Sequence, residues 1–579
     1  MSEVRGLIMR VSEWIDAIEG GLLSRELRRI HGHRASERAE LYLRALRLYL
    51  ESFGDDEVVV SRAPGRVNVM GRHVDYMGGY VNPMATSYEI VAVVGRRGDD
   101  WVVLRNVDPR YGPKRFRIWD VMPERKLRSL REWDEWTARV HRERLARGEG
   151  YDWDDYVKGL VIYLQDYYRD EGGRPTKRIP GFNAVVGGDI PPKRGMSSSS
   201  ALVVAVALAI RHFAGIDMPL AEFIDRIGYS EWYRLTRGGS ADHAAIILSR
   251  RGFVSHLSCL PTRVEEVEHA PLPEGYVVAV IDSGFERPHT EEAINYLRVT
   301  AAEYRLALLV IKSLFPQYRD RLRLLRDVNA RNLGVSLDAI YEILKAVPER
   351  ATRRELRSLV ADEYLDELEA VFANHREPPE GYKLRQRALY GLAETERARA
   401  FPEFLRRGDV ERVLRLIRTS HDGDRVAKFD ADGRRLEWDP SRFSSDESLE
   451  RYIRVLRDPH ATPAEREAVQ LHWIPGGYER SIEPIDFMCD MIEHRLGAYA
   501  AAQMMGAGLG GNVLALVRAD RVGELRSVLA ETYYARYGVE PAVTVVESGE
   551  GACLLRPPLE LAGGPEHPQR DADQPRREA

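Results

Sequence analysis

A chain of 579 residues, 44% hydrophobic and 30% charged, reads as a globular protein long enough for several domains or for one two-domain enzyme carrying an insertion. A net charge of −5 excludes the basic footprint of a nucleic-acid binder, and the longest uncharged apolar run, Ala201 to Ile210, is far shorter than the ~20 residues of a membrane span. Three widely spaced cysteines, Cys259, Cys489 and Cys553, exclude a disulfide framework or a cysteine metal cluster, and the charges Glu3, Arg5 and Arg10 interrupt any signal-peptide core, so a cytoplasmic location and small-molecule partners are expected.

In chain order, residues 1–36 form a polar, helix-prone extension, and Leu41, Leu43, Leu46, Leu48, Tyr49 and Leu50 then recur at helical spacing until Gly54. β-Branched runs predict strands at Glu57 to Ser61 and Ile90 to Val94. Residues 151–170 read as helical, and a strand at Ala184 to Val186 leads through Gly187, Gly188 and Asp189 into a long apolar helix. Two further strands, Tyr276 to Ile281 and Val513 to Val517, belong to a second domain with helical sequence between them. The polar stretch from about Val426 to Gly477, with Pro440, Pro459 and Pro463, reads as an inserted subdomain or lid that a short linker can replace without loss of folding. The tail after Arg556 has almost no large apolar residues and is expected to be disordered.

Three loops on this frame carry chemistry. Gly195-Met196-Ser197-Ser198-Ser199-Ser200 stands just before the apolar helix, where free backbone amides and the positive end of the helix dipole make an anion site. A serine cap on a buried helix has the same appearance. Gly506-Ala507-Gly508-Leu509-Gly510-Gly511-Asn512 precedes a strand, the reverse of a dinucleotide-binding turn, and alone would pass for a turn. Arg237-Gly238-Gly239-Ser240-Ala241-Asp242-His243, eleven residues beyond Glu231 at its aspartate, is by itself only a loop.

The segment Arg62-Ala63-Pro64-Gly65-Arg66-Val67-Asn68-Val69-Met70-Gly71-Arg72-His73-Val74-Asp75-Tyr76 resembles the galactokinase signature of the GHMP small-molecule kinases, with Arg72 in place of the family's sugar-holding glutamate. The serine loop resembles the family's nucleotide loop, and the glycine run resembles its third motif, which buttresses that loop. Trp153, Tyr156, Lys158 and Gly159, His289 with Tyr296, and Ser420-His421 continued by Tyr478-Glu479-Arg480-Ser481 look like further family segments, the last split by the insertion. The resemblance covers about residues 37 to 555.

It implies an α+β two-domain GHMP kinase fold, a small-ribosomal-protein-like N-terminal domain at 37–255 and a ferredoxin-like C-terminal domain at 256–556, interrupted at about 426–477. Residues 1–36 and 557–579 fall outside it. It further implies phosphorylation of a sugar hydroxyl, at the anomeric C1, with ATP and Mg²⁺ as cofactors. In that scheme Asp242 and Arg66 are catalytic, while Arg72, His73, Asp75 and Tyr296 bind the sugar. Gly195, Ser197, Ser198, Ser199, Ser200, Gly508 and Gly510 hold the nucleotide, and Ser199 with Glu231 hold the metal. Arg72 suits a carboxylate in a two-point fork, favouring a hexuronic acid such as galacturonate over galactose, unless it pairs with a neighbouring acid. Alternatives are a catalytically silent sugar sensor and a kinase for another small alcohol; oligomeric state is left open.

Overall fold

The computed structural model describes residues 7–558 apart from 192–193, 236–237 and 289; Lys193, Arg237, His289 and the tail from residue 559 lie outside the described residues. Two long antiparallel strands, Glu57–Met70 and Tyr80–Arg96, form the spine of a sheet that counts nine strands among those residues. Tyr80–Arg96 pairs on its other side with Phe182–Gly188, which runs parallel to Trp101–Asn106. The strands predicted at Glu57, Ile90 and Ala184 are all present, and each is longer than its β-branched run.

Side-chain alternation gives this sheet two buried faces. Val59, Ala63, Ala92, Val94, Ala184 and Val186 face the helices Asp154–Tyr167 and Ser198–Phe213. Val58, Val60, Val91, Val93 and Val185 face the N-terminal helices. The extension is thus less separate than its polar composition suggests. Val11, Trp14, Ala17 and Ile18, then Leu23, Leu27 and Ile30, form an apolar stripe that packs with the helix Ala35–Phe53 onto the sheet. The Trp14 indole N–H donates to the Val58 carbonyl at 3.3 Å.

A second sheet orders Ala500–Met505, Asn512–Arg518, Tyr276–Asp282 and Val543–Val546, all antiparallel, against the helix Glu483–Leu496. Beside it lies a helical lobe built on Glu291–Leu314, Leu337–Ala346 and Leu384–Arg406. No helix among the described residues is long and apolar enough to cross a membrane.

The stretch 426–477 departs from the expected lid. Leu449, Tyr452, Ile453, Val469, Leu471 and Ile474 are buried in one cluster with Ile340, Tyr341, Leu344, Leu384 and Leu389 of that lobe. The Tyr341 hydroxyl donates to the Val469 carbonyl at 2.7 Å, and Arg397 donates to the Ile474 carbonyl at 2.7 Å. A polar sequence hid this because its few apolar residues recur at helical spacing on one face of Asp446–Arg457. The flanking segments do meet: the Tyr478 amide donates to the Gly423 carbonyl at 2.6 Å and the Ser481 amide to the Asp424 carbonyl at 3.0 Å.

Candidate active site

The signature strand loses register between Pro64 and Arg66 and again between Asn68 and Met70, bulges that re-aim the chain where it enters a cavity of about 270 Å³ between the two sheets. Arg66, Asn68, Arg72, His73 and Asp75 line that cavity from one side, and Arg480, Met505, Gly506 and Ala507 from the other. Ser200, Glu231, Asp242 and His243 complete it.

Arg66 holds Asp242 with a fork, Nε to Oδ1 at 2.7 Å and Nη2 to Oδ2 at 2.6 Å, and its Nη1 donates to the Gly195 carbonyl at 2.9 Å. The Ser197 hydroxyl adds a donor to Asp242 Oδ2 at 2.6 Å, from a backbone in the left-handed region at φ 53°. Burial pushes the Asp242 carboxyl up, but the Arg66 charge and the Ser197 hydroxyl outweigh it and hold the group below its ordinary value. Its side chain keeps 35% exposure toward the cavity. A serine loop, a signature arginine and the aspartate of the Gly-Gly-Ser-Ala-Asp turn therefore meet at one point.

The serines divide. Ser198 and Ser199 line a second cavity of about 570 Å³ with Tyr111, Trp153, Tyr156 and Leu202, whereas Ser200 shares the first cavity with Glu231. Of the metal pair expected from sequence, Glu231 lines the first cavity and Ser199 the second; successive residues on a helix point about 100° apart, and it is Ser200 that shares the first cavity with Glu231. Glu231 is buried, its Oε1 lies 3.1 Å from His243 Nε2, and that oxygen has no hydrogen-bond partner among the described residues. A buried carboxylate that shares a cavity with a serine hydroxyl fits a hard cation such as Mg²⁺, which takes one or two carboxylates and completes its shell with water and phosphate.

Gly508 and Gly510 pack against protein. A Cβ at Gly508 would stand 2.5 Å from the Arg480 carbonyl, and the Leu509 amide donates to that carbonyl at 2.7 Å. Their motif reaches the cavity through Gly506 and Ala507, and the nucleotide loop through Gly195, which lies against Met505. Arg194, just ahead of the loop, is paired with Asp282 at 2.6 Å.

Arg72 does not offer a carboxylate clamp. Its five N–H groups go to Ser420 Oγ at 3.3 and 3.1 Å, the Ser420 carbonyl at 2.7 Å, Asp424 Oδ2 at 2.9 Å and the Met504 carbonyl at 3.1 Å. His73 Nε2 sits on the same Asp424 oxygen at 3.1 Å, and its ring stacks on Tyr478 at 4.7 Å. Asp424, Glu394 and Asn68 were missed from sequence. Glu394 Oε1 accepts from the Gly71 and Arg72 amides at 3.1 and 2.9 Å, yet it comes from a helix with no motif. Asp424 was within reach, three residues beyond the noted Ser420-His421 pair. Replacing Arg72 with Met is expected to lower stability by about 3–5 kcal/mol, because it leaves Asp424 buried and underpaired; urea unfolding measures it, and a loss under about 1 kcal/mol would show that Asp424 repacks.

Tyr296 is also displaced from its expected role. Its hydroxyl donates to the Glu479 carbonyl at 2.6 Å and it lines a separate cavity of about 610 Å³ with Thr300, Lys383 and Arg387. Asp75 remains at the first cavity, where burial and the neighbouring Asp242 charge push its carboxyl up to about 6.

Residues 47–96 match the family model for the galactokinase galactose-binding signature and residues 155–250 that for the GHMP kinase N-terminal domain. The galactokinase of Glaesserella parasuis is 23% identical over 493 residues, 85% of this chain and 94% of that protein, and the galactokinase of Haemophilus influenzae is 23% identical over 494 residues, again 85% and 94%. The structure of Lactococcus lactis galactokinase complexed with galactose superposes with a TM-score of 0.57 at 21% identity, covering 88% of this chain and 98% of that one. The three loops in one order, both family models and the galactokinase relatives together support a galactokinase-like sugar kinase of the GHMP type, a phosphotransferase acting on an alcohol group.

Proposed function

We propose that this enzyme transfers the γ-phosphoryl group of ATP to the anomeric C1 hydroxyl of a hexose or hexuronic acid. The observation that carries the reading is the Arg66–Asp242–Ser197 constellation opening onto the cavity lined by the sugar signature. The aromatic cavity of Tyr111, Trp153 and Tyr156 suits a purine, and the amides at the start of Ser198–Phe213 suit the phosphates between the two cavities.

The sugar hydroxyl oxygen attacks the γ-phosphorus, the bond to the bridging oxygen breaks, and ADP leaves with that electron pair. Asp242 accepts from the hydroxyl and takes its proton. Its lowered pKa makes it a weak base, which suits a loose transition state in which the hydroxyl loses its proton late. Arg66 keeps the carboxylate aligned and adds fixed positive charge beside the transferring group. Glu231 and Ser200 would hold Mg²⁺, which when bound neutralises phosphate charge.

Asp75 accepts from ring hydroxyls most strongly when ionised. Its raised pKa therefore predicts that kcat/KM for the sugar climbs with pH through about 6, levels above it, and falls about tenfold per pH unit below it. Asp75→Asn should lose that limb, and a profile that keeps it would assign the titration to another group. The function itself is tested by sugar-dependent ADP release across hexoses, hexuronic acids and amino sugars, with phosphorus NMR of the product. Binding of ATP and sugar without turnover would identify a sensor, and a product phosphorylated elsewhere would remove the anomeric assignment.

A further inference from the structure

Three guanidinium groups line the sugar cavity, and two of them are neutralised on the spot: Arg66 by Asp242 at 2.6 Å and Arg72 by Asp424 at 2.9 Å. Arg480 is different. It is buried, with 4% of its surface exposed, and among the described residues no carboxylate lies within ion-pair distance of it. Nε donates to Thr300 Oγ1 at 2.8 Å and Nη2 to the Leu297 carbonyl at 2.7 Å, while Nη1 takes no hydrogen bond among the described residues. The backbone is pinned as well, its amide donating to Asp424 Oδ1 at 2.8 Å, and the guanidinium lies over the Tyr478 ring at 4.8 Å. The group is thus immobilised with one edge unused.

Its surroundings add positive charge. Arg287, whose Nε donates to the Gly508 carbonyl at 3.0 Å, has its pKa lowered by burial and by the charge of Arg480. Asp75 feels Arg480, which lowers its carboxyl against burial and the Asp242 charge, but no ion pair joins the two among the described residues. A desolvated cation without an anion is among the most unfavourable groups a protein can bury. A cation held rigid at a ligand cavity in this way is suited to a charge-assisted contact with an anionic group.

We propose that Arg480 is the specificity-determining residue of the sugar site and that it binds an anionic substituent of the acceptor, a carboxylate or phosphate, on a carbon other than the reacting one. The inference rests on the sugar-kinase reading above and moves the anion-reading role from Arg72 to a residue whose donor edge is free.

The test compares kcat/KM for neutral hexoses, their 6-carboxylates and their 6-phosphates, in wild type, Arg480→Met and Arg480→Lys. Alongside it, hexuronate and hexose 6-phosphate are titrated by calorimetry into the enzyme loaded with a non-hydrolysable ATP analogue. Wild type should prefer one of the two acids over the neutral sugar by about tenfold or more, and Arg480→Met should lower that ratio by about 10–100-fold, the span of a charge-assisted hydrogen bond. Arg480→Lys should recover part of it. A melting-temperature shift by the ATP analogue reports that each variant is folded, and Arg480→Lys alone decides the matter if Arg480→Met is not. Preference for the neutral hexose, an unmoved ratio, or an effect confined to the KM for ATP would overturn the proposal, the last by assigning Arg480 to the nucleotide phosphates. Absence of ADP release with every sugar would overturn the kinase reading instead, and calorimetry would still decide whether Arg480 binds the acid.

Discussion

Asp242→Asn is expected to lower kcat by about 10²-fold or more while leaving ATP affinity within about threefold of wild type. The substitution preserves shape and removes charge. Three donors now converge on the carboxylate, two from Arg66 and one from Ser197, and an amide can satisfy only part of that set because one of its two heavy atoms is itself a donor. The amide NH₂ then opposes an arginine N–H, turning the Arg66 fork away from its alignment. Loss of the proton acceptor and loss of Arg66 positioning act in the transition state, so kcat and kcat/KM fall together. In the proposed reading nucleotide affinity rests on the amides at the start of Ser198–Phe213 and on the aromatic cavity, which Asp242 does not line. Single-turnover phosphate transfer and fluorescent-nucleotide titration measure the two quantities; a variant within about threefold of wild type in kcat would move the acceptor role elsewhere.

Deleting 426–477 behind a short linker is expected to unfold the protein, contrary to what the polar sequence suggests. The ends are close enough for closure, since Tyr478 and Gly423 already share a hydrogen bond of 2.6 Å. Burial decides the outcome. Leu449, Tyr452, Ile453, Val469, Leu471 and Ile474 leave the helical lobe together, and at ~1.5–3 kcal/mol for each large apolar side chain the loss is about 10 kcal/mol or more. That equals the whole stability of a typical domain. Circular dichroism and melting of the deletion check this, and a cooperative transition within about 5 °C of wild type would show that the lobe closes over the gap.

The parts of the molecule with a strong local signal were legible in advance. Strands with β-branched runs, such as Tyr276–Asp282 and Asn512–Arg518, were found nearly to the residue. That Arg66 and Asp242, 176 residues apart, stand at one site was implied by the family resemblance, although their ion pair was not foreseen. What escaped were partners chosen by tertiary contact. Glu394 belongs to a helix whose pattern says only that it is buried, and Tyr296 has an ordinary aromatic environment that no spacing distinguishes from a ligand site. Arg72 shows the limit most clearly. Of its two readings, a two-point fork for a substrate carboxylate and a pairing with a protein acid, the structure matches the second: one N–H meets Asp424, 352 residues away, and local sequence carries no information about which acid will arrive there.

The bonds that shape the sugar cavity span almost the entire chain. Val69 of the signature strand accepts from Gln503, 434 residues later, at 2.6 Å, and the amides of Gly71 and Arg72 wait for Glu394. During synthesis the signature emerges early, yet its final geometry needs residues that leave the ribosome long afterwards. Closure of such distant pairs is slow because the loop entropy must be overcome before the contacts form. The ligand-gripping loop therefore has no anchor until those residues are made, and the geometry that would hold a sugar is expected to form late.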